Sequence, residues 1–275
     1  MAATIAAMPV DNGLCRLEIE LPAQPAALVR LSLLMADDDI DLKAASALIE
    51  SDMALAAAVM KAVNSSLYGL KGRVQTPLQA VQYLGLREIA AITYEIGLRA
   101  AFPPLPELEP IWQRAARRGM VMGRLGQRLN VDAWAAHSAG LFEECGKAVL
   151  LRHAPEHYPA MLRAASGSDE QLAQLERRAF GVGHDALGAA LCESWGLSAN
   201  AVASVRHHAA VQAGGPWPAE VDKPAVLALS VIAHAMLAGG DVVAAVAHAA
   251  GRVPLDDAQV LAAVQAVQRQ LDDMP

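Results

Sequence analysis

The chemistry in this chain is concentrated in a few carboxylates, imidazoles and cations. The stretch Gly140 to Leu150 reads GLFEECGKAVL, placing two adjacent carboxylates, Glu143 and Glu144, before Cys145 and the pair Gly146-Lys147. Imidazoles follow at His184, inside Gly183-His184-x-x-x-Gly188, and at His207-His208, with a further one at His234. Such groups serve as metal ligands or as members of buried polar networks. Cys145 stands near Lys147, a cation that could lower a thiol pKa. No general base is in register with it, however, and the preferred role is that of a small packed hydrophobe. Arg114, Arg117, Arg118, Arg124 and Arg128 run along one predicted helix. Such a run is ordinarily a solvated or salt-bridged face, the alternative being a groove for an anionic nucleotide or partner. Gly69, Gly72, Gly85 and Gly188 fit neither a P-loop nor a dinucleotide fingerprint, so they are read as turns and close helix contacts.

These residues must be positioned by helices, since nearly every segment has a helical period with Pro, Gly or a capping residue between segments. Pro22 and Pro25 open a helix with Leu28, Leu31, Leu34 and Met35 on one stripe. Asp41 caps the next, Ser51-Asp52 begins a third, and Thr76-Pro77 supplies a cap followed by a first-turn proline. Phe102-Pro103-Pro104-Leu105-Pro106 is the clearest linker and the expected lobe boundary. Beyond it Pro110 opens a long helix ending near Asn130, and Asp132 caps the helix that leads into Glu143-Glu144. Ser168-Asp169-Glu170-Gln171 fits a capping box, and Ser198 caps the helix carrying His207 and His208. Leu14 to Leu21 alternates like a strand and is expected to be an extended arm. The expected organisation is therefore an arm over residues 1–20, a helical lobe over 21–102, and a helical bundle over 107–275.

Composition agrees with close-packed helices. The 275 residues are 54% hydrophobic and only 4% aromatic, which argues for a substantial core and against disorder. A net charge of −7 and the absence of basic blocks with interleaved aromatics disfavour nucleic acid as a partner. Cys15, Cys145 and Cys192 form no CxxC pair or disulfide framework, from which a reducing cytoplasm is expected. The first ten residues make a poor signal peptide, and the longest apolar stretch, Pro224 to Gly240, is too short for a comfortable membrane span.

Residues from about Leu21 to Ala209 resemble the HDOD domain, the HD-related output domain of bacterial signalling proteins. The landmarks are Leu21-Pro22-x-x-Pro25, Ile49-Glu50-Ser51-Asp52-x-x-Leu55, Val63-Asn64-Ser65-Ser66-Leu67-Tyr68-Gly69 and Ala80-Val81-x-x-Leu84-Gly85. Gly140-Leu141, Gly146-Lys147, Gly183-His184-x-x-x-Gly188, Trp195-Gly196-Leu197 and His207-His208 continue the pattern in order. The resemblance implies an all-α fold, with an N-terminal helical lobe packed on an HD-like helical bundle. It also implies a role in signal transduction without catalysis. Signalling proteins such as response regulators or cyclic di-GMP enzymes are the implied partners, and no receiver, cyclase or DNA-binding segment is visible in the chain. The oligomeric state is left open.

The same resemblance marks where an active HD phosphohydrolase would keep its ligands. Its early histidine falls at Arg114, its His-Asp pair at Glu143-Glu144, and its late aspartate near His234; His184 and His207-His208 retain the expected chemistry. Without that ligand set no cofactor is expected. Arg114 would place a fixed charge where the metal charge belongs, and a buried network in which Arg114 pairs Glu143 or Glu144 replaces it. The alternative is a divalent metal on Glu144, His184, His208 and His234, in a phosphohydrolase with altered ligands or a ligand or metal sensor. Asn64, Ser65 and Tyr68, with Lys147, form the expected ligand or partner surface, the competing account of Asn64 and Ser65 being turn formation. His137, His153, His157 and His248 are expected to be ordinary surface or helix-end residues.

Overall fold

The computed structural model describes residues 18–35, 41–65, 74–221 and 224–272. Every regular element among them is helical. Tyr68, Cys15 and most of the expected N-terminal arm lie outside the described residues.

The first five helices are α1 (Ala26–Met35), α2 (Leu42–Glu50), α3 (Met53–Val63), α4 (Pro77–Leu84) and α5 (Leu86–Ala100). Short polar residues start three of them: Asp41, Asp52 and Thr76 each accept a hydrogen bond from a backbone N–H of the first turn. Helices α2 to α5 close a small core around Ile49, Val59, Val63, Val81 and Ile89. The two faces of α5 serve different purposes. Ile89 and Ile92 complete the small core, whereas Ala90, Tyr94 and Leu98 join Leu28 and Leu31 of α1 in the main one. The lobe is thus fastened to the rest of the molecule through α1 and α5.

The bundle begins after Phe102-Pro103-Pro104, where the chain is irregular and Phe102 packs edge-on against Trp112. It comprises α6 (Glu109–Leu129), α7 (Ala133–Phe142), α8 (Cys145–His153), α9 (Tyr158–Ala164) and α10 (Asp169–Phe180). There follow α11 (His184–Ser194), α12 (Ala199–Gln212), α13 (Ala225–Ala238), α14 (Val242–Ala250) and α15 (Asp257–Asp272). Small residues let these helices approach closely. A Cβ on Gly146 of α8 would stand 1.9 Å from the His184 carbonyl oxygen at the start of α11, so only glycine fits that crossing. Gly140 of α7 packs in the same way on the backbone of Gly119 in α6. Helix α7 is buried from Ala133 to Phe142 except at the half-buried Trp134, as expected of the apolar centre of a bundle.

Two sequence landmarks far apart in the chain meet here. Trp195, after α11, donates its indole N–H to the Pro22 carbonyl at 3.0 Å, and Arg152 reaches the Glu20 carbonyl at 2.5 Å. Glu18 to Leu21 is irregular, with Ile19 and Leu21 packed on the main core rather than in a strand pairing.

Candidate functional site

Seven helices bring charged side chains to one place in the bundle. Arg114 and Arg118 stand one turn apart on α6. Glu143 ends α7, Glu144 opens α8, and Lys147 lies one turn further along α8. Asp169 begins α10 beside its cap Ser168, and Glu176 lies seven residues on, on the same face. His184 opens α11, while Ser204, His208 and Gln212 form an i, i+4 stripe on α12. Ser230 and His234 occupy consecutive turns of α13.

The principal cation is Arg118, one turn beyond the arginine singled out from the sequence. It is 6% exposed, and its Nη1 donates to Glu143 Oε2 at 2.5 Å. Its Nη2 stands 3.6 Å from Glu144 Oε1 and 4.0 Å from Asp169 Oδ2. Arg114 does pair with Glu144, Nε to Oε2 at 3.2 Å, but from the mouth of the site, where half of its side chain is exposed. Lys147 is buried and bridges Glu144 Oε2 at 3.0 Å and Asp169 Oδ1 at 2.8 Å. Glu143, fully buried, also accepts from Ser204 Oγ at 3.4 Å and Gln212 Nε2 at 3.1 Å, and Gln212 donates on to Ser230.

This arrangement sets the protonation states. Burial would raise the Glu144 carboxyl, yet Lys147 and Arg118 beside it hold it down at about 2. Asp169 is held well below its ordinary range, burial being overcome by Lys147, His184 and Arg118. Burial works against the Lys147 ammonium, but Asp169 and Glu144 raise its pKa all the same. Glu144, Asp169 and Lys147 are accordingly charged, each buried ion facing a counter-ion.

The histidines behave differently. His184 is fully buried; its ring Nδ1 lies 2.6 Å from Glu176 Oε2, and its backbone N–H donates to the same oxygen at 2.7 Å. Tyr158 donates to the other Glu176 oxygen at 2.5 Å. His208, also fully buried, places Nδ1 2.6 Å from the Val205 carbonyl oxygen, and burial lowers its pKa. The two rings are 5.4 Å apart, centre to centre. His207 turns away toward Glu220, 3.5 Å distant, and takes no part in the cluster. His234 is half-buried and lines a cleft of about 510 Å³ together with Arg114, Arg117, Arg118, Glu144, Lys147 and Asp169.

The expected ligand surface in the N-terminal lobe is divided. Asn64 uses its side chain for structure: Nδ2 donates to the Met60 and Val74 carbonyls and Oδ1 accepts from Val74 N–H. Ser65 lines a second cleft, of about 450 Å³, between the lobe and the bundle, whose rim carries Lys61, Arg87 and Arg99. Lys147 belongs to the bundle cluster rather than to this surface. His137 corrects an expectation. It is buried at the α6–α7 crossing rather than on the surface, and burial lowers its pKa to about 4. Cys145, whose thiol donates to the Leu141 carbonyl at 3.2 Å, is fully buried, which pushes its pKa well above the ordinary value.

Arg118, Asp169 and Glu176 were not legible as site residues. Arg118 sits within a run of arginines, and Asp169 reads as the first residue of a capped helix. At the Glu143-Glu144 position a catalytic HD-type metal does not fit, because a guanidinium and an ammonium already lie within hydrogen-bonding distance of both carboxylates.

Comparison with known proteins places this geometry. A family model described as the HDOD domain matches residues 21–211. An uncharacterized protein of Treponema pallidum (strain Nichols) is 27% identical over 192 residues, 69% of this chain but 37% of that protein. A solved structure of a putative signal transduction protein from Marinobacter aquaeolei VT8 aligns with a TM-score of 0.70 at 22% identity, covering 93% of this chain and 60% of that one. The present chain therefore spans less than two thirds of each of these relatives. A putative phosphohydrolase from Shewanella amazonensis SB2B aligns at 0.68 and 19% identity, over 91% of this chain and 92% of that one.

Proposed function

The chain belongs to the HDOD domain family, and from that premise we propose that it is a non-catalytic signal-transduction module that acts through protein or ligand binding on an HD-related scaffold. The observation that carries this reading is the pair Arg118 and Lys147. Both are buried beside Glu143 and Glu144, where they neutralise the carboxylates that stand at the position of an HD-type metal's ligands. A fixed guanidinium cannot acidify a bound water, so the principal step of metal-assisted phosphoester hydrolysis has no agent there. The structural relatives carry names of both kinds, signal transduction and phosphohydrolase, and one scaffold hosts many functions.

Two clefts offer binding surfaces. The bundle cleft is lined by Arg114 and Arg117 together with Glu107 and Glu144, which suits a polar or ionic ligand. The inter-lobe cleft has an apolar floor of Ala62, Ile92, Ile96 and Met120 under a charged rim, which suits a partner's side chains or an amphipathic ligand. Response regulators and cyclic di-GMP enzymes are the classes of partner we propose for the module.

A second reading, a metal-dependent phosphohydrolase with altered ligands, is favoured by one observation, the survival of His184 and His208 beside Asp169. The purified chain separates the two when incubated with cyclic di-GMP and a generic phosphodiester in the presence of Mn, Fe, Ni or Zn. The signalling reading expects no turnover. Turnover abolished by His184→Ala or His208→Ala refutes it in favour of the enzyme.

A further inference from the structure

Carboxylates outnumber the fixed cations, arginine and lysine, in the buried cluster. Four carboxylates, Glu143, Glu144, Asp169 and Glu176, stand beside two deeply buried cations, Arg118 and Lys147. Glu176 accepts from Tyr158 O–H and the His184 backbone N–H, and its Oε2 stands 2.6 Å from the His184 ring. Two of the four carboxylates thus have no fixed buried cation of their own, and Arg114, half-exposed at the mouth, answers for one at most.

The surplus sits beside two oriented imidazoles. The Val205 oxygen can only accept, so His208 carries its proton on Nδ1 and leaves a lone pair on Nε2. Glu176 Oε2, 2.6 Å from the His184 Nδ1, fixes the orientation of that ring and turns its Nε2 toward Asp169 and His208. Both Nε2 atoms are buried and have no hydrogen-bond partner among the described residues. Such orphaned buried nitrogens cost free energy unless something answers them. His208 Nε2 is 3.8 Å from Asp169 Oδ2, and the donor atoms of Asp169, His184 and His208 all lie within 4.8 Å of one another. Ligands on one zinc ion, each roughly 2.0–2.2 Å from the metal, stand roughly 3–3.5 Å apart, so closure requires rotations that move these atoms by about an ångström.

We propose that Asp169, His184 and His208 bind one divalent transition-metal ion, with Glu176 and the Val205 carbonyl orienting the two imidazoles. Two imidazoles and one carboxylate suit Zn(II), Fe(II), Co(II) or Ni(II) rather than Mg(II) or Ca(II), and a carboxylate or carbonyl behind each ligating ring is the usual support for such ligands. The site lies beside, not on, the Glu143-Glu144 pair. Lys147 keeps Asp169 Oδ1 while the ion takes Oδ2. Asp169 lines the bundle cleft, which gives the ion a path in. Bound there, it would tie the start of α10 to α11 and α12, three helices held at that point by the packing of Glu176 and Asp169.

The test uses the full chain purified without chelator and titrated with Co(II), whose visible spectrum reports coordination. Metal retained after dialysis is measured by mass spectrometry. Saturable, stoichiometric Co(II), displaced by Zn(II), is expected. Asp169→Asn, His184→Gln and His208→Gln, each checked for folding by circular dichroism, should lose it, whereas His207→Gln should keep it. Glu176→Gln should weaken it by about ten- to a hundred-fold, as loss of a supporting partner does. Lys147→Met should bind more tightly, since it removes a cation beside Asp169, and it decides the matter if the histidine variants fail to fold. Absence of uptake by the parent chain overturns the proposal. So does uptake undiminished in Asp169→Asn and His208→Gln, or a Lys147→Met variant that binds no better than the parent. Metal without phosphodiester turnover leaves the signalling reading intact; metal with turnover removes that reading and keeps the site.

Discussion

Replacing Arg118 by methionine should be among the most damaging single changes in the bundle, and the damage should largely disappear when Glu143 is changed with it. Arg118→Met keeps most of the side-chain volume but strips Glu143, fully buried, of its 2.5 Å partner, leaving it only Ser204 and Gln212. Breaking one partner of a buried pair costs about 3–5 kcal/mol, because the remaining charge stays desolvated. At roughly 2–4 °C per kcal/mol for a domain somewhat smaller than this one, the melting temperature should fall by about 6–20 °C. Glu143→Gln alone should cost less, since Arg118 retains Glu144 at 3.6 Å and Asp169 at 4.0 Å. In the double variant the uncharged amide that replaces the Glu143 carboxylate can still accept from Ser204. Its new N–H group can donate to Gln212 Oε1, a buried oxygen with no partner among the described residues, once the Gln212 amide, which now presents Nε2 to this site, turns over. The two single costs should therefore exceed that of the double by about 2 kcal/mol or more, read from urea denaturation followed by circular dichroism. Additivity within about 0.5 kcal/mol would refute the claim that this pair is a desolvated ionic unit.

Other predictions rest on separate features. Gly146→Ala should destabilise by at least about 1–3 kcal/mol in denaturant titration, because the new methyl would meet backbone rather than a yielding side chain. His137 is held neutral, its folded pKa lowered to about 4 from 6.5, so the unfolded chain binds more protons as the pH falls from 6.5 to 4. Stability should decline over that window and level off below it, and the measured slope should shrink in His137→Gln. Cys145 and Cys192 are buried with raised thiol pKa values, so mass mapping after alkylation should find both unmodified in the native chain and both labelled in denaturant. Removing the indole donor with Trp195→Phe should cost about 1–3 kcal/mol, since the Pro22 carbonyl then loses its partner in a buried setting.

The architecture was largely legible because helix starts are local. Asp41, Asp52, Thr76, Asp132, Ser168 and Ser198 each cap the helix their position predicted. The candidate site was legible in part. Glu143, Glu144, His184 and His208 do converge, but the arginine that joins them deepest is Arg118 rather than Arg114. The two differ by a single helical turn and share a face, so the pattern along α6 cannot tell the buried one from the rim. Asp169 and Glu176 reach the site only because α10 packs on α12 and α11, a matter of tertiary packing with no counterpart in local spacing. His137 was misread for a related reason. On a helix buried nearly all round, a polar residue no longer marks a solvent face.

The contact between Trp195 and Pro22 also bears on how the chain is made. Its partners are 173 residues apart, and those of the Arg152–Glu20 contact 132. Residues 18–25 leave the ribosome long before α11, yet their docking surface, begun by Arg152 of α8, is complete only once α11 and Trp195 have been synthesised. During translation the small core of α2 to α5 can form from neighbouring segments, while residues 18–25 must wait undocked until that much more chain has emerged. Closure of that segment over the bundle is thus a late event of synthesis, and a chain truncated before Trp195 would present Leu21 and Pro22 without the surface that receives them.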